Sequence, residues 1–272
     1  MRDRSALEPA SADDRWRAML VDPSPYRRGR RFFGRIPSSP RCKLCAAPFK
    51  GPGGLIMPLL GHGRWPHNPK YCAGCFRIIS TSHGGAEIEC SLLFADVRGS
   101  TTLAEQMSPK EFTRLMGRFF DTATAVLVRH DAYVDKFVGD EIIGIFVPAM
   151  ATESHAAHAI DAAFDLLQET GHTSAGGPWV PVGVGVNTGI AYVGSVGEGP
   201  DSDLTAMGDS VNTTARLATA AAQGEILVTT TAAASAGISV AGLESRTLSL
   251  KGKAEPTDVL VLEVSPTATR RA

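Results

Sequence analysis

Two apolar runs in this chain each lead into an aspartate. Leu92-Leu93-Phe94-Ala95 ends at Asp96, and Tyr133-Val134-Asp135-Lys136-Phe137-Val138 turns through Gly139-Asp140 into Ile142-Ile143-Gly144-Ile145-Phe146. The first run reads as a buried strand, the second as a β-hairpin with Asp140 at its tip. Alone, Asp96 would be a helix cap and Asp140 a turn residue. Two carboxylates delivered from neighbouring strand ends are instead the ligand set that a pair of hard divalent cations takes. The turn Arg98-Gly99-Ser100 then opens a short helix over Thr101 to Gln106, so the backbone N–H groups of Gly99, Ser100 and Thr101 offer an anion site beside Asp96.

A module of different character precedes this stretch. Residues 1–85 sum to about +10 and residues 86–272 to about −11, although the formal net charge is −1. Four of the five cysteines form two C-x-x-C pairs, Cys42 with Cys45 and Cys72 with Cys75. Two such knuckles converging on one point make a closed tetrahedral site, so the spacing predicts zinc, with an iron–sulfur cluster as the alternative. The Gly- and Pro-rich segment between them lacks the periodicity for a core of its own, and bound metal would supply its folding energy. His62, His67 and His83 read as solvent-facing loop residues, and Cys90 as a small buried hydrophobe. The basic run Tyr26 to Arg35, interleaved with aromatics, has the composition of a nucleic-acid patch. The preferred reading is an arm whose aromatics pack on the next module, so nucleic acid is disfavoured as a partner. No apolar run reaches the length of a membrane span, and Met1-Arg2-Asp3-Arg4 begins no signal region; the expectation is a soluble, cytoplasmic protein.

Further along, Ile78 to Glu87 reads as a linker. Ser108-Pro109-Lys110-Glu111 is a capping box for a helix whose Phe112, Leu115, Met116, Phe119, Ala123, Val126 and Leu127 recur at helical spacing. His155 to Gln168 and Val211 to Ala222 are two more helices. Trp179 to Asn187 is a strand with a tight Thr188-Gly189 end, followed by a polar loop from Gly194 to Asp203. Ile226 to Val228, Arg246 to Leu250 and Asp258 to Val264 complete the strands. Two helix–strand rounds on a largely antiparallel sheet predict an α+β, ferredoxin-like βαββαβ sandwich with a small metal ribbon in front. The expected divisions are a basic arm over 1–40, the ribbon and linker over 41–85, a catalytic domain over 86–266 and a tail over 267–272.

Four motifs in order resemble the class III nucleotidyl cyclase catalytic domain. They are Phe94-Ala95-Asp96-Val97-Arg98-Gly99-Ser100-Thr101, Lys136-Phe137-Val138-Gly139-Asp140, Gly183-Val184-Gly185-Val186-Asn187-Thr188-Gly189, and Leu204-Thr205-Ala206-Met207-Gly208-Asp209-Ser210-Val211-Asn212 continuing to Arg216 and Leu217. The resemblance spans roughly residues 88–264. It implies that a ribose 3′-hydroxyl attacks the α-phosphate of a nucleoside triphosphate and pyrophosphate leaves. Asp96, Asp140 and the backbone carbonyl of Val97 match the ligands of two Mg2+ or Mn2+ ions. Asn212 and Arg216, four apart on one helical face, match the pair that positions the ribose and stabilises the transferring phosphate. Lys136 and Thr205 match the base-recognising pair, and a Lys donor with a hydroxyl acceptor complements adenine, which points to ATP. Lys251 matches a lysine on the terminal phosphates, with Lys253 a substitute. The resemblance also implies a homodimer in which Asp96 and Asp140 of one subunit meet Lys136, Thr205, Asn212 and Arg216 of the other.

Two departures stand out: Ile190 occupies a position where some members have a phosphate-contacting arginine, and His130-Asp131-Ala132 replaces a glycine-containing turn. The leading expectation is therefore an adenylyl cyclase regulated through its metal ribbon. The alternatives are guanylyl cyclase or relaxed purine choice, and a zinc-dependent binding protein with a silent cyclase fold. Diguanylate cyclase chemistry is disfavoured because Val138-Gly139-Asp140-Glu141-Ile142 is not the Gly-Gly-acidic-acidic-Phe hairpin that it needs.

Overall fold

Strand β1 (Gly84–Val97) is the spine on which the other elements are laid. Its side chains alternate as a pleated strand requires. Ile88, Cys90, Leu92 and Phe94 enter one core; Leu93, Ala95 and Val97 enter another. Both faces are buried, so the sheet carries a layer on each side. The computed structural model describes residues 11–22, 24–36, 38, 40–66, 71–81, 84–197, 203–249 and 256–264.

Four short helices come first: α1 (Ala12–Val21), α2 (Ser24–Gly34), α3 (Gly51–Ile56) and α4 (Ala73–Thr81). After β1 follow α5 (Ser100–Gln106), α6 (Pro109–Arg129), the hairpin β2 (Tyr133–Val138) and β3 (Glu141–Phe146), α7 (Pro148–Ala151) and α8 (His155–Glu169). Then come β4 (Val182–Val196), β5 (Asp203–Met207), α9 (Asp209–Ala220), β6 (Glu225–Thr229), α10 (Thr230–Ser235), β7 (Glu244–Leu248) and β8 (Thr257–Glu263). The strands lie in the order β2-β3-β1-β4-β6-β8-β7, with β5 paired to β4. β1 is antiparallel to both β3 and β4, and the first four strands with α6 and α8 reproduce the expected βαββαβ sandwich.

Helix α6 starts where the capping box predicts. Ser108 Oγ accepts from the Glu111 N–H at 3.3 Å, and Glu111 Oε2 accepts from the Ser108 N–H at 3.0 Å. Its Phe119, Ala123, Val126 and Leu127 are fully buried, with Leu93 and Ala95, under the same layer as α8. The opposite face is covered by the N-terminal module and α9. Trp16, Leu20, Phe33, Met57, Tyr71 and Phe76 share one core with Ile88, Leu92, Phe94 and Ala218. The cysteine-bearing segment thus has no separate core, as its composition predicts, and completes that of the sheet. Each fully buried aromatic in such a layer contributes on the order of 2 kcal/mol.

Three expectations about boundaries are corrected. The linker expected over 78–87 is regular structure where it is described: α4 runs to Thr81 and β1 already begins at Gly84. Gly85 faces Gly194 across the ladder so closely that a Cβ on either would lie within 2.6 Å of the other's Cα, so these glycines permit strand contact rather than chain flexibility. β4 does not stop at Thr188-Gly189 but continues to Val196, and Gly189 is there because a Cβ would strike Ser210 Oγ at 2.6 Å. The polar loop is accordingly shorter, and β5, unexpected from sequence, occupies Asp203 to Met207.

Candidate active site and cysteine cluster

β1 and the β2–β3 hairpin bring the two aspartates together. Asp96 stands opposite Glu141 in the ladder, and the Val97 N–H donates to the Asp140 carbonyl at 3.4 Å, so Val97 lies between the two acids. Burial raises the Asp96 carboxyl to about 6, with Asp140 adding to the rise and Arg98 opposing it. Burial raises Glu141 to about 7, with the charges of Asp96 and Asp140 adding to it. Neighbouring carboxylates of this kind are hard-oxygen donors, the type that Mg2+ and Mn2+ take. The Arg98 guanidinium bonds to Asp96 Oδ2 and donates to the Thr219 carbonyl at 2.8 Å, at the end of α9. Arginine at a helix C-terminus is favourable by charge; its contact with Asp96 was not expected from sequence. Gly99 takes the left-handed conformation, φ +66°, and precedes Ser100 and Thr101 at the start of α5.

A second group lies on β2 and β5. Lys136 Nζ donates to Thr205 Oγ1 at 3.2 Å, and Thr205 Oγ1 donates to Asp135 Oδ2 at 2.7 Å. Asp135 and Thr205 are buried, whereas the Lys136 side chain is 48% exposed, which leaves its ammonium open to a ligand. Burial raises the Asp135 carboxyl; the Thr205 hydrogen bond and the Lys136 and Lys43 charges oppose that rise. Sequence reasoning missed Asp135, whose position between Val134 and Lys136 resembles an ordinary strand residue.

Asn212 and Arg216 sit on α9, Asn212 exposed and Arg216 half-buried. Asn212 lies two helical turns, about 10 Å, from Thr219, where Arg98 docks. The helix is seated by Asn187, whose Nδ2 donates to the Ser210 carbonyl at 3.1 Å while its Oδ1 accepts from Thr229 Oγ1 at 2.9 Å. Asn187 therefore places α9, a role its motif did not reveal. Gly185 lets α9 approach: a Cβ there would lie 2.5 Å from the Ala218 nitrogen. The expected phosphate lysines, Lys251 and Lys253, lie outside the described residues.

The four cysteines converge as expected. The sulfurs of Cys42, Cys45, Cys72 and Cys75 are all buried and within 4.8 Å of one another, with Cys45 and Cys72 3.7 Å apart. Such a set could hold a metal ion. His62 is not a free loop residue: its Nδ1 lies 3.3 Å from Cys72 Sγ and its ring packs edge-on against Phe33. His67 and His83 lie outside the described residues. Burial pushes the Cys90 thiol up to about 12, in keeping with a buried, neutral hydrophobe.

Two neighbours of these cysteines reach the Lys136 group. Lys43 Nζ donates to the Asp135 carbonyl and stands 5.6 Å from the Tyr133 ring centre. The Tyr71 hydroxyl bonds to Tyr133 Oη and to Asp203 Oδ1, and accepts the Leu204 N–H at 3.2 Å. Arg30, from the basic arm, is buried and donates to the carbonyls of Leu44 and Ala132 at 2.9 Å each. Phe33 is buried too, so this end of the arm packs on the next module, as preferred.

Comparison with known proteins bears on the family and the fold. Residues 86–262 match the family model of the adenylate and guanylate cyclase catalytic domain. The chain is 32% identical over 148 residues to adenylate cyclase 1 of Rhizobium meliloti, covering 51% of this chain and 22% of that protein. It is 31% identical over 133 residues to an adenylate cyclase of Anabaena cylindrica, covering 47% and 26%. The matches thus span about a quarter of the length of these curated relatives. Among solved structures, the guanylyl cyclase Cya2 aligns with a TM-score of 0.60 at 26% identity, over 68% of this chain and 98% of that one. The adenylyl cyclase CyaB from P. aeruginosa aligns with a TM-score of 0.57 at 23% identity, over 68% and 96%, and is similar in fold.

Proposed function

The chain belongs to the adenylate and guanylate cyclase catalytic domain family, and on that premise we propose that it is an adenylyl cyclase. It converts ATP to 3′,5′-cyclic AMP and pyrophosphate in a homodimer with two shared sites. One observation carries the choice of purine. The Thr205 hydroxyl gives its only hydrogen to Asp135, at 2.7 Å, and accepts from Lys136 Nζ at 3.2 Å, so toward a base it can act only as an acceptor, through its second lone pair. Lys136 beside it is a pure donor. Adenine offers an N6 donor and an N1 acceptor and complements this pair; guanine offers the reverse at both positions.

Mg2+ or Mn2+ held by Asp96, Asp140 and the Val97 carbonyl would activate the ribose 3′-hydroxyl and neutralise the triphosphate. Asn212 orients the ribose for in-line attack. Arg216 donates to the oxygens of the transferring phosphate as charge develops there. The N–H groups of Gly99, Ser100 and Thr101, together with Lys251, hold the outer phosphates. Among the described residues the Asp96 side chain bonds to Arg98, whereas the Lys136 side chain bonds to Thr205 and through it to Asp135, and this separation favours the two groups serving opposite sites of a dimer.

The basic arm and the cysteine ribbon are read as a regulatory unit that precedes the catalytic domain, which begins with β1. Zinc is the metal that best fits the ribbon. Four bonds of about 2.3 Å to one tetrahedral ion give sulfur–sulfur edges of about 3.8 Å, which the 3.7 Å between Cys45 and Cys72 matches. A cluster would place sulfide and several irons between the thiolates and spread them. His62, near Cys72, supports the thiolate from outside the ligand set. Elemental and absorbance analysis of anaerobically purified protein should find one zinc per chain and no visible charge-transfer band; iron with such a band would overturn zinc.

The test of the activity is turnover of ATP against GTP by purified full-length chain with Mn2+. Cyclic AMP should dominate. Dominant cyclic GMP would overturn the roles of Lys136 and Thr205, and no product from either nucleotide would favour a silent fold.

A further inference from the structure

We propose that Tyr71 and Lys43, each adjacent to a cysteine of the metal cluster, are positioning residues for purine recognition by Lys136 and Thr205. This rests on the reading of that pair as the base-contacting residues. Neither Tyr71 nor Lys43 touches the pair directly; both hold the backbone and acid that carry it. The β2–β3 register shifts between Val134 and Phe137, the residues flanking Asp135 and Lys136. At this irregular point the Asp135 carbonyl takes a hydrogen bond from Lys43 Nζ. On the other side, β5 carries Thr205 two residues after Asp203. Tyr71, fully buried, binds Asp203 through its hydroxyl and takes the Leu204 N–H on the same oxygen. Tyr133 Oη closes the group with a hydrogen bond to Asp203 Oδ1 at 3.2 Å.

The cysteine knuckles thereby grip both halves of the base site, β2 through Lys43 and β5 through Tyr71. A hydroxyl–carboxylate geometry such as that of Thr205 with Asp135 is sensitive to shifts of a few tenths of an ångström, because hydrogen-bond strength falls steeply with misalignment. Closure of Cys42, Cys45, Cys72 and Cys75 on a metal fixes the residues beside them and hence the orientation of the Thr205 acceptor. Purine preference should therefore depend on an intact cluster far from the bond that reacts.

The test uses full-length protein with its metal, comparing wild type with Tyr71→Phe, Lys43→Met and Lys136→Ala. Metal content is measured in each, together with KM and kcat for ATP and GTP. Affinity for a fluorescent ATP analogue is measured separately, so binding is read without turnover. Tyr71→Phe and Lys43→Met should retain metal and keep kcat within about twofold. Their KM for ATP should rise about threefold to tenfold, as for one buried hydrogen bond, and the ATP-over-GTP ratio of kcat/KM should fall in parallel. Wild type stripped of its cluster metal, with Mg2+ then restored in excess, should bind the analogue more weakly in the same direction. Unchanged KM and ratio in both variants would overturn the proposal, as would a loss confined to kcat or stability. If Tyr71→Phe fails to fold, Lys43→Met decides by the same criteria. If Lys136→Ala itself leaves the ATP KM unchanged, the underlying base-site reading fails, and this proposal with it.

Discussion

The guanidinium of Arg98 rests on the carboxylate of Asp96, two residues before it, and the same side chain donates to the Thr219 carbonyl at the end of α9. Arg98 thus neutralises one acid of the corner where divalent cations are proposed to bind, and ties that corner to the helix bearing Asn212 and Arg216. Replacement by Met should lower the melting temperature of the metal-free protein, through loss of charge-assisted bonds together worth on the order of 2 kcal/mol. The rise in melting temperature on adding Mn2+ should become larger than in wild type, because Asp96, Asp140 and Glu141 then lack their local cation. Equal Mn2+ shifts in the two proteins would show that Arg98 does not compete for Asp96.

Proton competition at this corner has a defined sign. Asp96 at about 6 and Glu141 at about 7 hold protons to higher pH than ordinary carboxylates. Raised values mean that the folded protein binds more protons than the unfolded chain between the ordinary carboxylate range and pH 6 to 7. Without metal, these groups make stability rise as pH falls through that window. Bound Mn2+ needs the ionised forms, so its affinity should drop over the same window. Calorimetric titration at about pH 8 and about pH 6 should find Mn2+ bound roughly tenfold more weakly at the lower pH. An affinity independent of pH in that range would contradict the raised acids.

Helix α9 sits on β4 only because Gly185 has no side chain: an added Cβ would meet the Ala218 nitrogen at 2.5 Å and the Thr214 carbonyl at 2.7 Å. Gly185→Ala should cost about 1–3 kcal/mol by overpacking and, on the proposed roles of Asn212 and Arg216, reduce kcat by displacing both. Gly117 in α6 is the control. Nothing lies within 4 Å of its added Cβ, so Gly117→Ala should stabilise the helix by about 0.5–1 kcal/mol with activity retained. Chemical denaturation and steady-state kinetics on both variants check the pair.

Elements set by local chemistry were legible in the sequence. The capping box at Ser108, the helical spacing of α6 and the aspartates at strand ends each depend on residues a few positions apart. Cys42 to Cys75 were legible because C-x-x-C spacing is itself the signal. What escaped notice is long-range. Tyr71 and Asp203 lie 132 residues apart, and Lys43 and Asp135 lie 92 apart. No periodicity links such pairs, so the attachment of the cysteine segment to the strands carrying Lys136 and Thr205 appears only in three dimensions. The glycines at 84–85 and 189 misled because the same residue serves a flexible link and a close approach of backbones, and only the neighbour decides which.

In the proposed dimer, each active site takes its metal-binding acids from one chain and its phosphate-positioning pair from the other. Asp96→Ala and Asn212→Ala proteins should each be inactive alone. In a two-fold dimer formed from an equal mixture, half the molecules are heterodimers with one intact site of two, so about a quarter of wild-type activity should return. Cyclic AMP formation by the mixed sample, with heterodimers verified by differential tagging, is the direct measurement. Recovery near that fraction is the predicted result; no recovery despite proven heterodimers would contradict the shared site.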